Sequence, residues 1–276
     1  MTEKHKRYIK RAFGITSDVV TLCLGAMLTV VLIATLTVVI FGCIFAVYVK
    51  AIMSEGFNLS LESFPQNLSS VIYYTDPETG AFVESTTIQS PEYRIWLEYS
   101  EIPKNVERAL VAIEDQRFYK HSGVDWYRTT GALVNMFISM RDNFGGSTIT
   151  QQLIKNLTGE DDVTVQRKLE EIFRALEFER TYTKEEIIQW YLNIVYFGRG
   201  SYGLAAAADT YFGKEASALT IPEIASLVAI PNNPSLYDPF VRPEKNMERQ
   251  ETILEQMFIQ GYIDAAEYRA YVAEDV

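Results

Sequence analysis

The sequence predicts a mainly α-helical protein with a single N-terminal transmembrane helix and a short β hairpin ahead of its helical domain. Three observations carry this. Val19–Val49 runs without one charged residue. Asp76-Pro77-Glu78-Thr79-Gly80 is a turn sequence between the short runs Val71–Tyr74 and Ala81–Glu84, which reads as a hairpin. From Pro103 onward apolar residues recur at helical spacing, and Thr183–Glu186 and Thr220–Glu223 each fit a capping box opening an apolar helix.

Taken in order, residues 1–18 are polar and basic, with Lys4, Lys6, Arg7, Lys10 and Arg11. The uncharged run that follows, residues 19–49, exceeds the roughly 20 residues that a bilayer core requires of a helix. A cleaved signal peptide has a shorter apolar core and a small-residue cleavage site close behind it. The basic flank predicts a cytoplasmic N-terminus with the rest of the chain outside. Residues 50–68 read as a polar connector, and Tyr93–Tyr99 as another short strand. Pro103–Ile113 reads as a helix with proline in its first turn and Val106, Leu110 and Ile113 on its apolar side. Tyr127–Met140 is apolar and weakly amphipathic, which suits either core or a lobe lying on the membrane surface. Pro231-Asn232-Asn233-Pro234 stops a helix, and Asn246–Tyr262 and Ala265–Val272 read as closing helices.

Composition narrows the function. A net charge of −11 and a pI near 4.8 argue against bulk nucleic-acid binding, so a site for an anionic substrate must come from local clusters of Lys and Arg. The two cysteines, Cys23 and Cys43, both fall within the apolar run, which leaves no disulfide framework and no thiolate metal site. His5 and His121 stand far apart in sequence, which argues against zinc.

Three clusters carry chemistry. In Ile113–Gly123, continuation of the preceding helix puts Glu114, Phe118 and His121 at i, i+4 and i+7 on one face. A carboxylate beside apolar surface is disfavoured in its charged form and drawn towards general acid/base use. Phe144–Lys155 packs Gly145, Gly146, Ser147, Thr148, Gln151, Gln152 and Lys155 together. Ser147 or Thr148 can cap a following helix, whose free N-terminal amides would form an anion seat; a loop that merely caps a helix is the plainer alternative. The P-loop spacing is absent. In Arg167–Glu171, Arg167 and Lys168 stand one helical turn before Glu171. That spacing gives either surface ion pairs or a second carboxylate held by cations. Lys155, Arg167 and Lys168 would suit a pyrophosphate in an otherwise acidic chain.

Together and in this order, the clusters resemble the peptidoglycan glycosyltransferases: the transglycosylase module of class A penicillin-binding proteins and their monofunctional relatives. The family's EDxxFxxHxG is matched by Glu114, Asp115, Phe118, His121 and Gly123, its GxSTxTQQ by Gly145–Gln152, and its RKxxE by Arg167–Glu171. Further matches are Ile187–Asn193 with Tyr196–Gly198, Tyr202–Ala208, and Ala225–Ser235. The resemblance implies a lysozyme-like helical head over 69–262, a smaller membrane-associated jaw at about 124–144, and a helical tail over 263–276. The implied reaction polymerises lipid II into β-1,4-linked glycan with inversion at the anomeric carbon and loss of undecaprenyl pyrophosphate. Glu114 would be the general base and Glu171 the second catalytic carboxylate, orienting the cations or a divalent ion, magnesium or manganese. Asp115, Phe118, His121, Ser147, Thr148, Gln151, Gln152, Lys155, Arg167 and Lys168 would bind substrate. No organic cofactor is implied. Expected partners are lipid II, the growing glycan strand, the membrane, and cell-wall synthesis or division proteins; the expected location is the outer face of a bacterial cell membrane. No residues remain for a transpeptidase domain, so no penicillin-binding activity is expected. The linker 159–166 is acidic where relatives often carry another basic residue. The competing readings are a catalytically weak cell-wall scaffold and a lysozyme-like glycan-cleaving enzyme.

Overall fold

The computed structural model describes residues 3–54, 61, 70–75, 79–80, 82–88, 93–131, 146–159 and 164–274. It divides into two compact units, residues 1–58 and 59–276.

The first unit is one helix, α1 (Glu3–Ser54). Its segment Val19–Ala51 has a peak mean hydropathy of 2.9. At about 1.5 Å per residue it exceeds the ~30 Å of a bilayer's hydrocarbon core. Leu22, Leu28, Val38 and Phe41 are exposed all round the helix, so no other described part of the chain covers its apolar surface. The hydroxyls of Thr29, Thr35 and Thr37 each donate to a carbonyl four residues back at 2.8 Å, so they need no water.

In the second unit, β1 (Ser70–Thr75) and β2 (Phe82–Ile88) form the expected antiparallel hairpin, with a register shift between Ile72 and Tyr73. The expected strand Tyr93–Tyr99 contracts to β3 (Tyr93–Arg94), paired in parallel with β4 (Ser201–Tyr202). A side chain has replaced the ladder beyond it. Leu97 N–H donates to Asn193 Oδ1 at 2.7 Å, and Asn193 Nδ2 donates to Leu97 O at 2.8 Å.

The helical body follows. Its members are α2 (Lys104–Glu114), α3 (Ile149–Thr158), α4 (Val165–Thr181), α5 (Lys184–Ile194), α6 (Leu204–Phe212), α7 (Ile221–Ala229), α8 (Pro243–Ile259) and α9 (Ala265–Val272). Both anticipated capping boxes are formed, by Thr183 with Glu186 and by Thr220 with Glu223. Thr148 and Gln151 make a third, which opens α3. A 3₁₀ turn over Ile230–Asn232 ends α7 at the proline–asparagine stop. One core joins these helices: α2 packs on α7 and α8, and α3 packs on α4 and α5, with Val106, Leu110, Ile149, Leu153, Ile187, Leu227 and Ile253 buried between them.

One expected element is corrected. Pro103 is the N-cap of α2 rather than a member of its first turn, and the helix stops at Glu114 instead of running on to His121. Asp115 leaves the helical region at φ −153°, and Phe118–Lys120 form a separate 3₁₀ turn. The reason is tertiary: the Asp115 carboxylate bonds groups that a continuing helix would carry away from it. Gly123 closes this loop at φ +87°, where an added Cβ would stand 2.2 Å from the Ala175 carbonyl oxygen, so only glycine lets the loop lie on α4. Of the stretch Tyr127–Met140, residues 127–131 are helical. The remainder, and with it most of the expected jaw, lies outside the described residues.

Candidate active site

Glu114 is the last residue of α2. Its side chain is 14% exposed, with Oε1 3.7 Å from Arg249 on α8. Oε2 accepts from Gln152 Nε2 at 2.8 Å, and Gln152 Oε1 in turn accepts from the hydroxyl of Tyr191 at 3.1 Å. Burial holds the Tyr191 phenol well above its ordinary pKa, and the charge of Glu114 adds to that. It remains a hydroxyl donor at any physiological pH.

The neighbouring Asp115 is fully buried. It faces His121 Nε2 at 3.0 Å and Arg128 at 3.7 Å, and accepts the N–H of Ile149 at 3.1 Å. The expected anion seat at the start of α3 is therefore filled by the chain's own carboxylate. Thr148 completes that end. Its side chain caps Gln151 N at 3.2 Å and donates to the Gly123 carbonyl at 2.6 Å, joining two of the motifs by one hydroxyl. Arg128 donates to the Glu114 carbonyl at 2.6 Å, covering a carbonyl that the helix end leaves open.

Phe118 lies in the separate 3₁₀ turn, with its ring 6.2 Å from that of His121. Its buried ring lies beneath Lys184, whose ammonium is 4.1 Å from the ring centroid and 2.6 Å from Glu179. Burial lowers the pKa of Lys184, while Glu179 and the charge of Asp115 act against that shift. Asp115, Phe118 and His121 were expected to bind substrate; the structure buries Asp115 and Phe118, leaves the His121 side chain 6% exposed, and engages all three with protein neighbours.

The second carboxylate is more heavily held. Glu171 is buried. Its Oε2 pairs with Arg167 at 2.8 Å, and its Oε1 accepts from Lys168 and from Gln151 Nε2, the latter at 3.0 Å. Lys168 also donates to Ser147 Oγ at 2.8 Å. Gln151 and Gln152 are successive residues of α3, so their side chains leave the helix about 100° apart. Each takes one carboxylate. That is what brings Glu114 and Glu171, 57 residues apart in sequence by subtraction (171 − 114), to one helix. Lys155 stands one turn farther along α3, exposed, and no described residue pairs with its ammonium.

The donor set does not fit a divalent cation at Glu171. Two cationic side chains and an amide N–H already occupy its oxygens, and a divalent ion prefers a cluster of oxygen ligands without competing cations. Among the described residues no cluster of three or more His, Cys, Asp or Glu stands ready for a metal.

Sequence reasoning missed Arg249, Arg128, Lys184 and the role of Tyr191. For Arg249 a signal existed: it lies between Asn246 and Ile253, three residues after one and four before the other, and both are buried on α8. The contact with Glu114 depended on how α2 and α8 cross.

A family model for the transglycosylase domain matches residues 80–258. The chain belongs to the transglycosylase family. Relatives include penicillin-binding protein 1F of Bacillus subtilis (strain 168), 47% identical over 168 residues, covering 61% of this chain and 24% of that protein. Penicillin-binding protein 1A of Streptococcus oralis is 37% identical over 239 residues, covering 82% of this chain and 37% of that protein. This chain thus spans well under half the length of the curated relatives it matches. The crystal structure of penicillin-binding protein 1A from Haemophilus influenzae covers 76% of this chain and 21% of its own, at 22% identity and a TM-score of 0.43. Membership of the transglycosylase family bears out the resemblance read from the three motifs.

Proposed function

We propose that this chain polymerises lipid II into β-1,4-linked glycan strands, with Glu114 as general base and undecaprenyl pyrophosphate as leaving group. The supporting observation is the asymmetry of the two carboxylates on α3: one is nearly saturated with cations, while the other keeps an oxygen whose nearest cation is 3.7 Å away. Glu114 takes the proton of the incoming sugar's 4-hydroxyl. That oxygen forms a bond to the anomeric carbon of the growing strand from the face opposite the pyrophosphate, and the anomeric C–O bond breaks with its electron pair on the pyrophosphate. The configuration inverts. Negative charge grows on the leaving group, where fixed cations lower the barrier most. Arg167 and Lys168, held in place by Glu171, and the exposed Lys155 are the groups to meet it. Glu171 therefore acts by positioning cations, and no step requires a metal.

In this reading the catalytic unit lies on the outer face of the cytoplasmic membrane, a location that the basic N-terminal tail and the apolar α1 support, where a lipid-linked substrate is delivered in two dimensions. Lipid II and the growing strand are the partners; cell-wall synthesis or division proteins would be recruited around them. The test is a lipid II polymerisation assay with the wild type and Glu114→Gln, run beside digestion of finished glycan strands. Polymer from the wild type alone, with no digestion, is the expected result. Digestion of glycan without polymerisation would move the protein to the hydrolases.

A further inference from the structure

Each of the two consecutive glutamines has its amide oriented from behind by a group other than its carboxylate. Gln151 Oε1 accepts the backbone N–H of Thr148 at 3.0 Å, which turns its Nε2 towards Glu171. That orientation is secured by the main chain. Among the described residues Gln152 has no such backbone partner. Its carbonyl is held by the hydroxyl of Tyr191, a side chain of α5 that is 1% exposed. The hydroxyl has Gln152 Oε1 as its acceptor, and a buried hydroxyl left without one is costly. The chain of bonds therefore runs one way, from Tyr191 to Gln152 to Glu114. Both links donate towards the carboxylate, at 3.1 and 2.8 Å.

We propose that Tyr191 is a positioning residue for the transfer reaction: by fixing the Gln152 amide it ties Glu114 down through Oε2 and leaves Oε1 as the oxygen that takes the acceptor's proton. This rests on the reading of Glu114 as the base. Without the hydroxyl, Gln152 can turn its carbonyl towards Glu114, and two acceptors then face each other. The charged groups around Glu114 are otherwise unchanged: Arg249 from α8 at 3.7 Å, and Arg128, which binds the Glu114 carbonyl and lies 3.7 Å from Asp115. Tyr191 is too buried to touch substrate. Its effect must fall on the chemical step, not on affinity.

The test is Tyr191→Phe in the full-length, detergent- or vesicle-embedded protein, assayed with lipid II. The expected result is a kcat about three- to tenfold lower, the worth of one net hydrogen bond, with KM within about twofold. Gln152→Leu alone should lower kcat, and adding Tyr191→Phe to it should cost nothing more; a thermal melt of each variant verifies folding. A Tyr191→Phe enzyme with wild-type kcat would overturn the proposal, as would effects of the two substitutions that multiply. Retained polymerisation by Glu114→Gln would instead overturn the base reading beneath it, so the two failures are distinguishable.

Discussion

Glu114 and Asp115 are adjacent carboxylates with opposite surroundings. Asp115 is fully buried and meets an imidazole, a backbone N–H and a guanidinium. Glu114 is 14% exposed, with one amide donor and an arginine at 3.7 Å. The helix ends between them, and the turn at Asp115 sends one side chain into the protein and leaves the other at its edge. A carboxylate saturated with donors anchors structure. One that keeps an oxygen open can accept a proton. A motif written as two acidic letters therefore encodes two different tasks.

The comparison breaks most readily at Glu114. Glu114→Gln keeps the shape and the Gln152 contact region, so polymerisation should fall by about two to four orders of magnitude while the melting temperature stays close to wild type. Activity surviving at wild-type level would remove the distinction. Asp115→Ala should show the reverse emphasis. It removes the carboxylate that His121 and the Ile149 N–H share, and chemical denaturation should register a loss of about 3–5 kcal/mol; a variant as stable as wild type would mean that Asp115 anchors nothing. Gly123→Ala tests the same loop through its backbone. At φ +87° and with the Ala175 oxygen 2.2 Å from an added Cβ, it should cost about 2–3 kcal/mol by the same measurement, and a neutral result would show that the loop need not lie on α4.

The other carboxylate of α2, Glu107, sharpens the contrast by pH. Burial raises the pKa of Glu107, but bonds from Lys104, Tyr119 and Tyr99 outweigh burial and hold it below the ordinary glutamate value. The unfolded state then takes up this proton first as pH falls. The stabilisation is full above the unfolded value of about 4.3 and is lost as pH drops through the lower folded value. Acid titration of stability should lose that component in Glu107→Gln, the smallest effect of the four; an identical acid profile would assign the low pKa no role in stability.

The apolar helix long enough to cross a bilayer, the hairpin, the capping boxes at Thr183 and Thr220 and the Pro231–Pro234 stop were all readable in the chain, because each is decided within a few residues by periodicity, charge or cap chemistry. Arg167, Lys168 and Glu171 were readable for the same reason: helical spacing alone places them together, and they do pair. The extension of α2 to His121 was not readable. Local propensity favours a continuing helix, and only the demands on the Asp115 carboxylate from Ile149 and His121 break it there.

Local order, then, was written in neighbouring residues: which segments are helical, where they are capped, which one is apolar enough to span a bilayer, and which side chains carry charge. Long-range packing settled the rest: that Gln151 and Gln152 divide two distant carboxylates between them, that Tyr191 stands behind one and Thr148 behind the other, and that Arg249 arrives from α8. Periodicity fixes the face on which a side chain lies. What that face meets depends on how helices cross, and crossing is set by the burial of a whole core.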